Sequence, residues 1–421
     1  MTGTGNLRRM TDSSGPPWSP RVPADSVLGD LLDRSRNEPP EAIPCLVAAA
    51  ARRMGAQEAV LYVVDHDQQT LVPLGGEDVP ARDRLDVDTT VGGRAFWTTE
   101  PVEPHERTGT SLWLPLLSGA TRIGVFELTV DTLDDAARAS YRQLAILAAE
   151  LLISTDRYGD AVNLARRDKP LTLPAEIQWS LLPPLSYANQ RVSLSGQLEP
   201  SERIAGDTFD YAVNGDLLHV ALIDAMGHGF EATLLASVAI GVYRHSRRHG
   251  LDLSQTYAAL DETISRHFEE DRFVSAQFLQ LELETGRLCW LNAGLPPPLL
   301  IRGNKLVGPL TGAPNVPAGV GGWAGEVAEH KLEPSDRLLF FTDGVIEARS
   351  SEGEFFGEER LVDLLIRANT AGLPPTETVR RLTKEILAHQ GGTLQDDATI
   401  LSLEWHGSHA ATTSHDGPQP A

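Results

Sequence analysis

Five aspartates in this 421-residue chain stand where a strand pattern meets a turn: Asp207, Asp224, Asp343, Asp396 and Asp397. Carboxylates are hard oxygen donors, and a set of them without histidine or cysteine suits Mg²⁺ or Mn²⁺ rather than zinc or copper. Two such ions at roughly 3.5–4 Å, sharing a water, generate a nucleophile and clamp a phosphoryl oxygen. Each aspartate alone also reads as ordinary turn chemistry. The metal reading therefore depends on the elements that bring the five together.

The stretches IAGDTFDYAV (204–213) and LLHVALID (217–224) flank Asn214, Gly215 and Asp216, a strong hairpin signal. With the turn centred on Asn214 and Gly215, Asp207 faces Leu222, two positions before Asp224; centred on Gly215 and Asp216, it stands directly opposite Asp224. Either register puts both carboxylates on one sheet face, where like charges repel unless a cation lies between them. AMGHG (225–229) then leads into helical spacing over 230–248. Its glycines allow close backbone approach and its carbonyls can serve a hard cation, although DxxGxG equally describes a tight strand-to-helix turn. RLLFFTDGVIEAR (337–349) runs an apolar strand into Thr342, Asp343 and Gly344, and Asp396 and Asp397 precede the strand pattern ATILSLEW (398–405). If those strands are antiparallel neighbours, their acids share one sheet edge. Such carboxylates nearly cancel the charge of two divalent ions and leave a site open to a phosphate dianion.

At about 150 residues per domain the length predicts two or three domains. The patterning divides the chain into a disordered leader over 1–24, a small α/β unit over 25–155, a helical connection over 156–183, an α+β layered unit over 184–405 and a disordered tail over 406–421. In the first unit we expect a helix over 39–54, strands over 59–65, 70–76, 111–117 and 122–130, and a helix over 135–153. The connection, broken at Lys169 and Pro170 and restarted at Pro174, is a natural relay and a natural homodimer seam. With 36 basic against 58 acidic residues, a formal charge of −22 excludes a nucleic-acid binder. No run of about 18 apolar residues predicts a membrane span, and no apolar run follows Arg8 and Arg9 to make a signal peptide. Two distant cysteines, Cys45 and Cys289, exclude a disulfide scaffold and a zinc finger and fit a reducing cytoplasm. His245 and His249 read as exposed members of a basic helix end, with Arg244, Arg247 and Arg248.

The segments AEIQWSLLPP (175–184), AGDTFDY (205–211), DAMGHG (224–229), LNAGLPPPLL (291–300), DRLLFFTDGVIEAR (336–349), FFGEERL (355–361) and DDATI (396–400) resemble, in order and spacing, the metal-dependent PPM (PP2C) class of bacterial serine/threonine phosphatases, in its RsbU/SpoIIE sporulation and stress-response branch. The resemblance implies an αββα sandwich with two Mn²⁺ or Mg²⁺ ions at one end of two packed sheets. It implies Asp207 and Asp224 as ligands, with Asp224 bridging, the Ala225 carbonyl as a further ligand, Asp343 and Asp396 completing the second metal, and Asp397 ligating or supporting that loop. The implied reaction is in-line attack of a bridging hydroxide on phosphoserine or phosphothreonine, with no phosphoenzyme. The implied partner is a phosphorylated anti-sigma factor antagonist, a small STAS-domain protein.

Two positions depart from the family pattern: Ala205 stands where the first glycine of GGD is usual, and Ala225 where valine or glycine is usual. Arg203 is a candidate for phosphate binding and His228 for protonating the leaving serine oxygen; a surface arginine and a tolerated loop histidine are the alternatives. Residues 25–155 resemble a GAF sensor domain, by order of elements, with a PAS domain the nearest competitor and an unknown ligand or protein as its partner. Cys45 reads as a small buried residue rather than a chromophore attachment. Two rivals are a phosphatase-like binding module without activity, against which every metal carboxylate is retained, and a diguanylate cyclase, whose loop needs a second acid where Thr208 stands.

Overall fold

The computed structural model describes residues 23–104, 110–167, 171–199, 206–269, 271–321, 325–391, 394 and 396–408. The N-terminal unit comprises α1 (Ala24–Ser35), α2 (Ile43–Arg53), β1 (Ala56–Val64), β2 (Thr70–Pro73), β3 (Leu85–Asp86), α3 (Val91–Thr98), β4 (Thr110–Ser118), β5 (Thr121–Val130) and α4 (Asp135–Asp156). Its five strands form an antiparallel sheet in the order β3-β2-β1-β5-β4. β1 is buried along nearly its whole length because both faces are covered, so it reads as a continuous apolar run. On one face α2 and α4 pack Leu46, Val47, Leu144 and Ala148 onto Leu61 and Phe126; on the other, Tyr62, Phe96 and Trp113 cluster under α3.

Two helices go beyond the sequence reading. α1 begins at Ala24, inside the stretch expected to be leader, and buries Val27 and Leu31; α3 forms between the second and third expected strands, capped by the Thr90 hydroxyl. Both were missed because they are short and neither carries a long apolar period.

The connection is not one helix. α4 runs on to Asp156, the chain turns, and two short helices follow, α5 (Ala161–Arg166) and α6 (Leu173–Leu181); Lys169 and Pro170 lie outside the described residues. α5 is tied to the first unit, where Arg166 Nε donates to the Val64 carbonyl at 3.0 Å and His66 N–H to the Arg166 carbonyl at 3.3 Å. α6 is capped by Thr172 and has a proline in its first turn.

The C-terminal unit comprises β6 (Ser186–Ala188), β7 (Val192–Glu199), β8 (Asp207–Asn214), β9 (Leu217–Ala225), α7 (Gly229–Arg248), α8 (Leu253–His267), β10 (Val274–Glu282), β11 (Arg287–Ala293), β12 (Leu299–Arg302), β13 (Lys305–Pro309), β14 (Ala328–Lys331), β15 (Asp336–Phe341), α9 (Asp343–Ile346), α10 (Glu358–Thr370), α11 (Pro375–His389) and β16 (Ala398–Trp405). One sheet has the order β14-β11-β10-β9-β8 and the other β13-β12-β15-β16-β7-β6. Phe209, Leu222, Leu338, Phe340 and Leu401 fill the space between them. α7 and α8 cover the first sheet and α10 and α11 the second, giving four layers, α, β, β, α. The mixed α and β architecture agrees with the sequence reading. Among the described residues no helix is long and apolar enough to cross a membrane.

The two units meet through polar groups. Gln68 Nε2 donates to Gln197 Oε1 at 2.5 Å, and the buried Arg122 pairs with the buried Glu377 at 3.1 Å.

Candidate metal centre

The β8–β9 hairpin turns at Gly215 and Asp216, and its register sets Asp207 directly opposite Asp224. Of the two registers open to the sequence, this is the one that brings the carboxylates closest. β15 and β16 are antiparallel neighbours, Phe341 pairing with Ile400, so Asp343 at the end of one strand and Asp396 and Asp397 at the start of the other reach the same edge. β16 also pairs with β7 in the same sheet. Two glycines permit the closure. A Cβ on Gly206 would lie 2.4 Å from the Ala225 carbonyl oxygen, and one on Gly344 would lie 2.0 Å from the Asp397 carbonyl oxygen.

The carboxylates are penalised where they stand. Burial first, and then the charges of Asp224 and Asp397, hold Asp207 well above the usual carboxylate range, while hydroxyls from Thr399 and Thr342 pull the other way. Burial pushes Asp224 up to about 7, and Asp343, Asp396 and Asp397 add to the rise. Asp396 is raised by burial, with Asp343 and Glu347 contributing. Asp207, Asp224 and Asp396, from three segments, are disfavoured by burial and by neighbouring negative charge, and a cation between them relieves both.

The donor set fits hard divalent ions, being carboxylate and carbonyl oxygen. Among the described residues no three acids are closed around a single point as a finished cage. Instead Asp207 Oδ2 is held by the Thr342 and Thr399 hydroxyls, each at 2.7 Å. Asp397 Oδ2 accepts from Gln178 Nε2 at 2.8 Å, from Gly206 N–H at 2.9 Å and from Asp207 N–H at 3.2 Å. That oxygen therefore fastens the start of β8 to the β16 loop. Asp396 Oδ1 accepts from Asp397 N–H at 2.8 Å. His228 is exposed at the N-cap position of α7, where its side chain does not cap the helix. Arg203 and Ala205 lie outside the described residues.

Several supporting residues escaped the sequence reading. Gln178, Thr342 and Thr399 all sit inside the motifs quoted above, but nothing in their spacing announces a hydrogen bond to a carboxylate. Asp210, 2 % exposed, pairs with Arg247 at 2.7 Å and Arg244 at 3.0 Å, so these arginines pin α7 to β8, while His245 and His249 are exposed at the basic helix end as expected. The rings of His245 and His249 pack at a tilt, with centroids 4.0 Å apart.

Comparison with known proteins finds relatives of the C-terminal unit. Residues 214–406 match the family model described as Stage II sporulation protein E (SpoIIE). Protein IcfG of Synechocystis sp. is 24 % identical over 280 residues, covering 58 % of this chain and 42 % of that protein. Phosphoserine phosphatase RsbU of Bacillus subtilis is 20 % identical over 234 residues, 55 % of this chain and 69 % of its own length. Phosphoserine phosphatase RsbP of the same species is 24 % identical over 190 residues, 44 % of this chain and 46 % of RsbP. The chain thus spans about half the length of two of these three relatives. Among solved structures, the SiaA PP2C domain of Pseudomonas aeruginosa superposes with a TM-score of 0.47 at 21 % identity, covering 55 % of this chain and 93 % of that one.

Proposed function

We propose, from the premise that the C-terminal unit belongs to the stage II sporulation protein E family of PP2C-type phosphatases, that this chain is a Mn²⁺- or Mg²⁺-dependent protein serine/threonine phosphatase. The observation that carries the reading is Asp207 directly opposite Asp224, with Asp343 and Asp396 at the facing edge of the second sheet. Asp207, Asp224, Asp343, Asp396 and the Ala225 carbonyl would hold two ions, and Asp397 would fix the loop between them. When bound, the ions supply an ionised water as nucleophile and neutralise charge on the phosphoryl oxygens. The chain's own contribution is positional. Thr342 and Thr399 favour the ionised form of Asp207 against the burial that opposes it, and Asp397 and Gln178 fix the backbone from which Asp207 projects. His228, at the rim, would protonate the leaving serine or threonine oxygen.

The names of RsbU and RsbP, both phosphoserine phosphatases, support a phosphoprotein substrate. We extend this to a phosphorylated anti-sigma factor antagonist of the STAS type, acted on in the cytoplasm. Residues 25–155 would act as a GAF-like sensor for a small molecule or protein, reporting through the connection over 156–183, whose exposed Tyr158, Leu164 and Leu173 would seat a second copy of the chain.

The test is hydrolysis of a phosphoserine peptide with and without Mn²⁺ by the full-length chain, beside Asp224→Asn and Asp343→Asn. Metal-dependent turnover lost in both variants, with circular dichroism unchanged, is the expected result. Activity equal to the parent in either variant would overturn the two-metal reading.

A further inference from the structure

With two ions bound, the carboxylate site is close to neutral, and its proposed substrate brings further negative charge. Two divalent ions bring four positive charges against the five acids Asp207, Asp224, Asp343, Asp396 and Asp397, and a phosphoserine adds about −1.5 to −2 more. A cation at the rim of a site so nearly neutral would favour the incoming dianion. The strand ladder leads to one. Asp224 pairs with Ser275 and Ala225 with Val274; the two chains then stay side by side, Met226 N–H donating to the Phe273 carbonyl at 3.1 Å. One residue further on, the guanidinium of Arg272 lies beside Gly227, close enough that a Cβ there would be 3.4 Å from Nη1. The same pairing that fixes Asp224 therefore fixes Arg272 at the lip of the AMGHG turn. Gly227 itself has φ +106°, so the turn is set by glycine and leaves the lip uncovered.

Resting on the phosphatase reading above, we propose that Arg272 binds the phosphoryl group of the substrate. Its present acidic partners, Glu231 and, at 3.9 Å, Asp271, are both exposed and replaceable. Arg272 Nη2 donates to Glu231 Oε2 at 2.9 Å, and Glu231 is 77 % exposed while Arg272 is 27 % exposed. An ion pair so open to water is weak, whereas a guanidinium offers a phosphoryl dianion two parallel donors. Glu231 holds the side chain ready and competes with the incoming dianion. The proposal assigns to Arg272 the role that Arg203 is a candidate for in the sequence, and on a different segment.

The experiment compares Arg272→Ala, Arg272→Lys and Glu231→Gln in the full-length, Mn²⁺-loaded protein, reading inorganic phosphate binding by calorimetry together with kcat and KM on a phosphoserine peptide. Arg272→Ala is expected to weaken phosphate binding and raise KM by roughly 10-fold or more, the loss of a charge-assisted hydrogen-bonding partner. Arg272→Lys should recover part of this, and Glu231→Gln should bind phosphate as tightly as the parent or tighter. If Arg272 merely pins α7 to the β10 loop, both Ala and Gln variants lower the melting temperature alike and phosphate affinity stays at the parent value; that result overturns the proposal. A parent chain with no Mn²⁺-dependent hydrolysis overturns instead the reading on which it rests.

Discussion

Gln178 Nε2 donates to Asp397 Oδ2 at 2.8 Å and to the Asp207 carbonyl at 2.7 Å, so a helix of the connecting segment holds the metal loops of both sheets at once. The ring of the next residue, Trp179, packs at a tilt against His66 of the N-terminal unit, with centroids 4.3 Å apart. Gln178 is 1 % exposed and cannot exchange these bonds for water. The turn at His66, the connecting helix and the carboxylate loops are thereby neighbours in space across two adjacent residues.

Gln178→Ala should therefore act on the metal and not on the core. Partners that orient metal ligands typically cost 10- to 100-fold in metal affinity when removed, so roughly that loss is expected in Mn²⁺ titrations followed by calorimetry. The melting temperature of the chelated protein should move little by comparison. Unaltered Mn²⁺ affinity would show that Asp397 needs no help from α6.

The two threonines on Asp207 give a second prediction. Both hydroxyls reach the same oxygen, Oδ2, at 2.7 Å, and each stabilises the ionised form that a metal needs. Hydrogen bonds to a charged group are worth roughly 1.5–3 kcal/mol, so Thr342→Val and Thr399→Val should each weaken Mn²⁺ binding by about that energy. Because they share one acceptor, the double variant should lose less than the sum. A double-mutant cycle with no coupling would mean that the hydroxyls are not acting on one carboxylate.

A third concerns pH. An acid whose folded-state value is raised holds its proton more tightly folded than unfolded, so stability falls as pH rises between the two values. For Asp224 that window runs from 3.8 to about 7, and Asp207 and Asp396 shift in the same direction. Chelated protein should therefore lose melting temperature from pH 5 to pH 7 and level off above. With Mn²⁺ present the trend should reverse, since binding displaces protons and strengthens as they leave. Asp224→Asn should flatten the chelated profile, and a parent profile already flat would rule out the coupled acids as its cause.

How far these features were legible in the sequence follows from what makes each of them. The hairpin around Gly215 and the apolar strand into Asp343 are local, so Asp207, Asp224, Asp343 and Asp396 could be picked out by turn chemistry and alternation alone. The register could not be chosen, because Asn214–Gly215 and Gly215–Asp216 are both good turn centres and only packing across the sandwich distinguishes them. Thr342, Thr399 and Gln178 were invisible for a different reason: their partners lie 135, 192 and 219 residues away along the chain, and hydroxyls and amides have many local uses. The charge of −22 pointed to the acids in general, but the pairing of Arg244 and Arg247 with Asp210, 34 and 37 residues away, was not legible because Asp210 carries no strand-end signature.

The junction of the two units supplies the last prediction. Glu377 is fully buried on α11 and accepts from Arg122 of β5 at 3.1 Å, from Arg380 at 2.8 and 2.9 Å, and from Arg381 at 2.7 Å. Asp88, of the first unit, accepts in turn from Arg380 at 2.6 Å and also pairs with Lys384. Burial pulls Arg122 down to about 10 even with Glu377 beside it, a sign of how much its charge loses on leaving water. The two ends of this pair are not equivalent. Arg122→Ala leaves Glu377 with two arginines, whereas Glu377→Ala leaves the buried Arg122 charge with only the neutral Gln68 and the Thr376 carbonyl, and Arg380 with Asp88. Removing one partner of a buried pair costs roughly 3–5 kcal/mol when the other is stranded, so Glu377→Ala should approach that figure in urea unfolding and Arg122→Ala should fall well short of it. Arg122→Ala should nonetheless loosen the junction, read as faster limited proteolysis in the connection over 156–183. Equal costs for the two variants would mean that the junction is wet and the network contributes little.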